Sequence, residues 1–380
     1  MRVGLVPLLY DEYNYGGVLQ FYALQRILKS NNIKCDIIFF DNDEKAFCPE
    51  LPVRKKFLLN IKIAIYKIIY GKSSATEKKI IEENIKKRKL KIDAFKQVNY
   101  SQVVNETSIS YSEYDAIVCG SDQIWNPNWA RRRCFLEFVP DDINKIIYAA
   151  SLGCESMSKE QKAQFEPRIE RLQYVSVREQ SGKAILDSFI KNKEIEIVLD
   201  PTLLLLPEDW DDIVIDPNEK GYVFTYFLGK YDDKINYIWK FAKEKELQIV
   251  NIPFASGEKN DDVCFGDIQI KDADPGEFIG LIKNAEYIFT DSFHACVFSV
   301  LFKKEFYAFQ RDNSKQMQGR IKTLLHNFNL PDRFIELGIN LDMVSSIDYQ
   351  NNDMIQEELR RESLTFLLDS IKDKSNLVKK

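Results

Sequence analysis

Short apolar runs alternate with stretches of helical periodicity along most of the chain. Continuous or alternating apolar runs predict strands, whereas apolar positions spaced three or four residues apart predict helices. The runs that predict strands are 2–9, 33–40, 114–120, 145–151, 174–178, 195–199, 222–228, 247–252, 287–289 and 305–309. Helical stretches lie at 18–30, 76–95, 159–172, 232–245, 274–284, 295–302, from 320 onward and at 354–371. Strand, helix and strand in this order predict βαβ units and parallel sheets.

The repetition of this pattern predicts an α/β protein with two Rossmann-like domains, residues 1–206 and 207–380, which face each other across a cleft. The proline-bounded segment 207–217 is the predicted linker, and the amphipathic helix at 354–371 is expected to end the second domain. A chain of 380 residues is long enough for two domains of ordinary size. Ligand sites in such pairs are expected at the carboxyl ends of the strands of both halves.

One segment, at about 54–97, differs in composition and predicts a helical insertion into the first domain. Residues 54–96 contain 14 Lys and Arg against 4 Asp and Glu, and residues 57–70 are strongly apolar. A basic, apolar helix can lie on an anionic membrane surface, which would allow peripheral contact with the inner membrane. A helix that packs on the domain while its lysines stay solvated explains the same pattern, and we favour this second interpretation.

The overall composition excludes several classes of protein. A net charge of −5 gives no sign of nucleic-acid binding. Seven scattered cysteines without a CxxC motif, and only two histidines, predict neither a metal site nor a disulfide framework. We therefore expect reduced cysteines and a cytoplasmic protein. No signal peptide is expected, because Asp11 and Glu12 cut the N-terminal apolar run short. No transmembrane helix is expected either, because no uncharged apolar stretch of about 18 residues is present in the sequence.

The densest group of candidate catalytic side chains lies between the strand ending at 289 and the apolar helix at 295–302. Asp291, Ser292 and His294 occupy this turn, where unpaired helix N–H groups favour anions. An imidazole at such a position is a candidate for proton transfer, and Asp291 would orient it. In the alternative interpretation His294 caps the turn and bonds a backbone carbonyl, while Asp291 is a structural N-cap.

Three turns of the first half provide further candidates. Asn14 to Gly17 precede a helix, and the glycines would let the backbone approach a ligand closely, although a simple tight turn explains them as well. Neither a GxGxxG nor a Walker motif is present. Ser121 and Asp122 follow a strand, as ligand-facing loop residues or as a helix cap. Arg178 is expected at an exposed strand end, where it would bind a phosphate or carboxylate or form a weak surface pair with Glu179.

Taken together, these motifs resemble the polysaccharide pyruvyl transferase family over most of the chain. The resemblance rests on NYGGVLQFYAL at 14–24, DAIVCGSDQIWNP at 115–127, SVRE at 176–179, DPT at 200–202, TDSFH at 290–294 and RI at 320–321. It implies two facing Rossmann-like domains of GT-B type, with no metal or organic cofactor. It also implies transfer of the enolpyruvyl part of phosphoenolpyruvate to sugar hydroxyls as a pyruvate ketal, with His294 catalytic and Arg178 binding the donor.

The sequence departs from the family at Ser292, where characterised members often carry an arginine that contacts the donor. Arg320 or Lys303 would replace that cation. The resulting set has His294 and Asp291 as catalytic residues, and its substrate-binding residues are Arg178, Arg320, Ser292, Asn14, Gly16, Gly17, Ser121, Asp122, Gln123 and Trp125. Trp125 and Trp129 would stack on the acceptor sugar, although core packing explains each of them as well.

The acceptor implied by the resemblance is a sugar of a surface polysaccharide or of its lipid-linked precursor. Two alternatives stay open on the sequence. The first is a GT-B glycosyltransferase that uses a nucleotide sugar, since it would share the architecture. The second is a non-catalytic relative that binds a glycan.

Overall fold

The computed structural model of the protein describes residues 1–8, 13–40, 75–229, 232–253, 265–311 and 318–373. The apolar segment 57–70, on which the suggestion of membrane contact rests, lies outside the described residues. The predicted helix of the insertion is present as α2 (Ala75–Asn99), the second helix of the described chain. No helix within the described ranges is long and apolar enough to cross a membrane.

Seven parallel strands form the first sheet, in the order β3-β2-β1-β4-β5-β6-β7. They are β1 (Arg2–Val6), β2 (Lys34–Phe39), β3 (Val103–Asn105), β4 (Ala116–Cys119), β5 (Asn144–Ala150), β6 (Tyr174–Val177) and β7 (Glu196–Ile197). The helices of this half are α1 (Tyr15–Ser30), α2, α3 (Lys159–Glu170) and α4 (Gln180–Asp187). The strand order reverses direction between β1 and β4, which is the switch point where ligands bind in open α/β sheets.

Six parallel strands form the second sheet, in the order β10-β9-β8-β11-β12-β13. They are β8 (Tyr222–Tyr226), β9 (Gln248–Asn251), β10 (Ile268–Gln269), β11 (Tyr287–Thr290), β12 (Glu305–Phe309) and β13 (Phe334–Ile335). Its helices are α5 (Asp232–Glu244), α6 (Pro275–Asn284), α7 (Phe293–Leu301) and α8 (Gln318–Asn327), and α9 (Tyr349–Lys372) follows. Here the order reverses between β8 and β11.

The predicted fold class, two Rossmann-like domains of GT-B type, is confirmed by these two parallel sheets. The sequence missed three edge strands, β3, β10 and β13, because strands of two or three residues are too short to show a periodicity. The predicted ends of the other elements differ from the observed ends by a few residues, as in β1, which stops at Val6 instead of Leu9.

Aromatic side chains join the two halves behind the cleft. Tyr15, at the start of α1, stacks on Phe278 of α6 with ring centroids 4.6 Å apart, and its hydroxyl donates to the Ala273 carbonyl at 2.7 Å. Trp210 is fully buried between Tyr22 of α1 and Phe298 of α7, at centroid distances of 5.7 and 4.9 Å. One residue of the segment 207–217, the predicted linker, therefore belongs to a packed core that both halves share, namely Trp210.

The last helix returns to the first sheet. The amide of Asn144 in β5 donates to the Ser370 carbonyl at 2.6 Å, and the Leu199 amide donates to the Ser363 hydroxyl at 2.9 Å. We predicted that this helix closes the second domain, but its final turns pack on β5 of the first. Its apolar stripe can cover either sheet, so periodicity alone could not choose between them.

Candidate active site

The predicted site residues come from both halves and meet at the two switch points. Asn14 and Gly16 follow β1, Asp122 follows β4, and Arg178 follows β6. His294 lies in the first turn of α7, directly after β11. The carboxyl ends of the two sheets therefore place an imidazole, a helix N-terminus and a cluster of guanidinium and carboxylate groups next to one another.

His294 is buried, with 6% of its surface exposed, and it faces the start of α1 across the domain boundary. A Cβ added at Gly16 would stand 1.8 Å from its Nδ1 atom. The cap of α7 is Ser292, whose hydroxyl accepts from the Ala295 amide at 3.4 Å. The structure therefore does not support the alternative interpretation, in which His294 itself is the cap. Ser292 instead stabilises the N-terminus of α7.

The contact with His294 leaves no room for a side chain at position 16. Asn14 caps α1 and accepts a hydrogen bond from the Gly16 amide at 2.9 Å, as an N-cap residue does. We predicted that Gly16 and Gly17 let the backbone approach a ligand closely. The close approach observed at Gly16 is to the imidazole of His294 from the other half, so the glycine makes room for that imidazole.

Asp291 does not orient His294. Its carboxylate accepts hydrogen bonds from the backbone amides of Leu228 and Gly229, at 2.6 and 2.8 Å, and so it joins the end of β11 to the turn after β8. Lys234 Nζ and Arg311 Nε lie 3.9 and 3.8 Å from this carboxylate. The prediction of a catalytic role for Asp291 is therefore without geometric support, and the expected N-cap is the neighbouring Ser292 instead.

The carboxylate beside His294 belongs to Asp200, which sequence reasoning did not assign to the site. Its Oδ2 atom lies 3.6 Å from Nε2 of His294, and both side chains are buried. Asp200 begins the DPT motif three residues after the end of β7, and its Oδ1 atom accepts from the amide and hydroxyl of Thr202 at 3.1 and 2.7 Å. The available signal was its position after a strand at the same sheet edge as Arg178.

Arg178 is at the end of β6 as predicted, but it is not exposed. Only 5% of its surface is accessible, and its guanidinium lies between two carboxylates, with Asp122 at 2.6 Å and Asp200 at 2.5 Å. It also lies over the ring of Phe293, 4.4 Å from the centroid. The expected surface pair with Glu179 is wrong as well, since that contact is 3.9 Å long and buried. Arg178 is therefore already neutralised by the chain itself.

These buried ion pairs make stability depend on acidic pH. Burial raises the pKa of Asp200, but the charges of His294 and Arg178 outweigh burial and hold that pKa below its usual range. Burial also raises the pKa of Asp122, and the charge of Arg178, the largest opposing effect, again lowers it overall. A carboxylate with a depressed folded-state pKa stabilises the fold above its unfolded pKa of about 4, and this contribution is lost as the pH falls through the folded value.

We expect Asp200→Asn to lower the free energy of unfolding by about 3–5 kcal/mol at neutral pH, because it breaks a buried ion pair. Urea denaturation at several pH values measures this difference. The gap to wild type should narrow as the pH falls below about 4, where the carboxylate of the unfolded chain becomes protonated. A gap that stayed constant down to the acid limit of folding would contradict the assigned ion pairs.

Arg320 is the guanidinium of the site with the weakest anionic contact. It is 7% exposed, and its Nη1 atom approaches Asp122 only to 3.8 Å, while its Nε atom has no hydrogen-bond partner among the described residues. Burial, and next the positive charge of Arg178, lower its pKa to about 10. Lys303, the other suggested replacement for the missing arginine, pairs with Asp353 at 2.7 Å on the surface and lies outside the site.

The remaining predicted binding residues shape the loop after β4. The Ser121 amide donates to the side chain of Gln20 at 2.9 Å, and its hydroxyl donates to the Ala149 carbonyl at 2.7 Å. Gln123 accepts from the Asn126 side chain at 2.9 Å. Trp125 is fully buried and stacks on a phenylalanine, so it belongs to the core and cannot stack on a sugar.

Two further cations were missed by the sequence reasoning. Arg311 follows β12, and its Nη2 atom donates to the Asp291 carbonyl at 3.1 Å. Lys234 belongs to α5 and is buried beside the same aspartate. Neither residue lies in a recognisable motif, so only the folded sheet edge reveals them. Within the described residues no cluster of three or more metal-ligating His, Cys, Asp or Glu side chains is present.

Comparison with known proteins identifies one family and several structures of similar shape. The family model of polysaccharide pyruvyl transferases matches residues 14–313. No curated protein matches the sequence. The UDP-GlcNAc 2-epimerase of Neisseria meningitidis, bound to UDP-GlcNAc, has a TM-score of 0.46 at 10% identity and covers 98% of this chain and 100% of its own.

Two further solved structures show the same level of likeness. The UDP-GlcNAc 2-epimerase of Methanocaldococcus jannaschii has a TM-score of 0.45 at 13% identity, with 94% of this chain and 92% of its own covered. The glycosyltransferase SnogD of Streptomyces nogalater has a TM-score of 0.43 at 8% identity, with 95% and 94% covered. Likeness at this distance identifies no substrate for the present chain.

Proposed function

This chain belongs to the polysaccharide pyruvyl transferase family, and on that premise we propose that it uses phosphoenolpyruvate as its donor. The enolpyruvyl group passes to two hydroxyls of one sugar, which forms a pyruvate ketal and releases phosphate. No metal ion or organic cofactor has a part in the proposal. The acceptor is a sugar of a surface polysaccharide or of its lipid-linked precursor, in a cytoplasmic reaction that can take place at the membrane face.

The observation that supports the proposed anionic donor is the weak anionic contact of the buried Arg320 guanidinium. A buried guanidinium is costly unless anions surround it, and among the described residues the nearest carboxylate oxygen is 3.8 Å away. The pKa of Arg320 is lowered to about 10 by burial and then by the charge of Arg178, so an anion beside Arg320 would stabilise its charged form. The phosphate or carboxylate of the donor supplies such an anion.

Other groups around Arg320 fit a donor with two anionic ends. Arg311 stands at the end of β12 and adds to the positive potential at Arg320. The first turns of α1 and α7 lie next to each other at Gly16 and His294, and helix N-termini favour anions. Arg178 pairs with two carboxylates, Asp122 and Asp200, and so orients them within the site. Arg320 thus takes the role of the cation that Ser292 does not provide.

The chemistry needs one proton delivered to carbon and two hydroxyls deprotonated. A proton adds to the methylene carbon of phosphoenolpyruvate, and the first sugar hydroxyl adds to the adjacent carbon and loses its own proton. The second hydroxyl of the same sugar then displaces phosphate, which carries away the remaining proton equivalent. His294 is the group placed to shuttle these protons, a task that contributes about 10²–10⁴ in rate.

Binding of the donor is measured by the thermal stabilisation that it causes. Phosphoenolpyruvate at about a hundred times its dissociation constant stabilises the folded state by roughly 2.7 kcal/mol, which raises the melting temperature visibly. We expect this shift in wild type and in Lys303→Ala, the matched change of a surface cation, and its loss in Arg320→Ala. A shift that Arg320→Ala keeps and Lys303→Ala loses would contradict the assigned site.

The same assay separates the alternatives. A shift with a uridine or guanosine diphosphate sugar but none with phosphoenolpyruvate would support a glycosyltransferase of the same architecture. Binding of a glycan that neither donor influences would support a non-catalytic relative. Either result would overturn the proposal of a pyruvyl donor.

A further inference from the structure

His294 has two ring nitrogens, and the structure gives each of them a different surrounding. Nε2 is buried and makes no hydrogen bond to any of the described residues, among which the nearest carboxylate oxygen is Asp200 Oδ2 at 3.6 Å. Nδ1 points to the start of α1, where the missing side chain of Gly16 leaves it room. A neutral imidazole carries its hydrogen on one nitrogen, which donates, while the other nitrogen accepts. A hydrogen bond made by one nitrogen therefore determines which of the two is protonated.

Asp200 has one acceptor position left for this imidazole. An ionised carboxylate offers about four acceptor positions, two on each oxygen. Thr202 occupies Oδ1 through its amide and its hydroxyl, and Arg178 donates to Oδ2 at 2.5 Å. One position on Oδ2 remains, and His294 Nε2 lies 3.6 Å from this oxygen. All donors around Asp200 are thus accounted for if Nε2 carries a hydrogen.

Asp200 can only accept, because the structure keeps it ionised. Arg178 donates to its Oδ2 atom at 2.5 Å, and the amide and hydroxyl of Thr202 both donate to Oδ1, so the ionised form is stabilised even beside a neutral imidazole. A carboxylate without a proton cannot donate to Nε2, so contact between the two favours the form of the imidazole with hydrogen on Nε2. The distance of 3.6 Å is long for a hydrogen bond, and such contacts commonly shorten when substrate binds.

From this geometry we propose that Asp200 is a positioning residue that fixes His294 in its Nε2–H form, so that Nδ1, beside Gly16, is the atom that transfers protons. The proposal rests on the proposed function, since it says which nitrogen of the catalytic imidazole meets the reacting hydroxyl. Nδ1 lies beside the N-terminus of α1, where a developing negative charge on oxygen is favoured. Gly16 keeps that edge of the ring accessible.

The composition of the chain makes a direct test possible. His294 and His326 are the only histidines, so a protein labelled with ¹⁵N-histidine gives just two pairs of imidazole nitrogen signals. His326 lies on the exposed side of α8 and is an internal reference for a freely exchanging ring. In a fixed form the protonated and unprotonated nitrogens have widely separated shifts, whereas exchange between forms averages them. The measurement uses the full chain without donor, at a pH where both rings are neutral.

We expect separated shifts for His294 in wild type, with Nε2 protonated and Nδ1 unprotonated. Asp200→Asn should collapse this separation toward the averaged values of His326. Asp122→Asn is the matched control, because it also removes a carboxylate from Arg178 at 2.6 Å but leaves Asp200 beside His294. The separation should persist in that variant.

Several outcomes would overturn the inference. They are averaged shifts in wild type, a protonated Nδ1 in wild type, or a separation that Asp200→Asn leaves unchanged. The wild-type spectrum decides the protonated atom even if Asp200→Asn does not fold. Because no donor is present, a failure of pyruvyl transfer would leave this result intact, and the two failures are distinguishable.

Discussion

Replacement of His294 by alanine is expected to reduce turnover by about 10²–10⁴ while donor binding is kept. The imidazole is the proton-transferring group in the proposal, whereas the donor anions bind to Arg320 and to the helix N-termini. Initial rates of phosphate release with saturating donor and acceptor measure the first effect. The melting-temperature shift with phosphoenolpyruvate measures the second.

His326→Ala is the control for this experiment, since it removes the other histidine from an exposed position on α8. It should retain wild-type turnover. Near-normal turnover in His294→Ala would remove the catalytic assignment and leave a non-catalytic role for the cleft. Loss of the donor shift in His294→Ala would show that the imidazole holds the donor instead of moving protons.

Gly16→Ala is expected to reduce turnover by about a hundredfold, although it adds a single methyl group outside the catalytic side chain. The added Cβ would stand 1.8 Å from His294 Nδ1, so the imidazole must move by on the order of 1 Å. Forcing a group into a packed site also costs about 1–3 kcal/mol of stability. Steady-state rates and urea denaturation measure the two effects.

A double-mutant cycle shows whether Gly16 acts through His294. Alanine is favoured over glycine inside a helix by roughly 0.5–1 kcal/mol, so in the His294→Ala background the same change should stabilise the protein. The coupling free energy of the two substitutions is then large and stabilising, whereas Gly16→Ala alone is destabilising. If Gly16→Ala were equally destabilising in both backgrounds, the clash with the imidazole would not be its cause.

The sequence could predict the parts of the site that local signals determine. Alternating strands and helices predicted both domains, and the polar turn before an apolar helix predicted His294 at its observed position. Each of these two features depends on residues within about one supersecondary unit. At Gly16 the sequence predicted a close approach to a ligand, whereas the structure shows the imidazole of His294 there.

The partners of those residues could not be predicted, because they are set by how distant segments pack. Asp200 reaches His294 only through the docking of the two halves, and Asp291, closer in sequence to His294, accepts from backbone amides instead. Arg178 at a strand end gave no sign that two carboxylates would bury it. Trp125 follows a loop motif, yet its indole packs in the core.

The most direct test of the account is the fate of the donor carbon. Phosphoenolpyruvate labelled with ¹³C is incubated with the protein and with surface-polysaccharide precursors, and the glycan is then examined by mass spectrometry and NMR. The account predicts labelled pyruvate ketal on a sugar, with one phosphate released for each ketal, and about 10²–10⁴ times slower ketal formation by His294→Ala. Release of phosphate with free labelled pyruvate, or consumption of a nucleotide sugar with an unlabelled glycan, would contradict it.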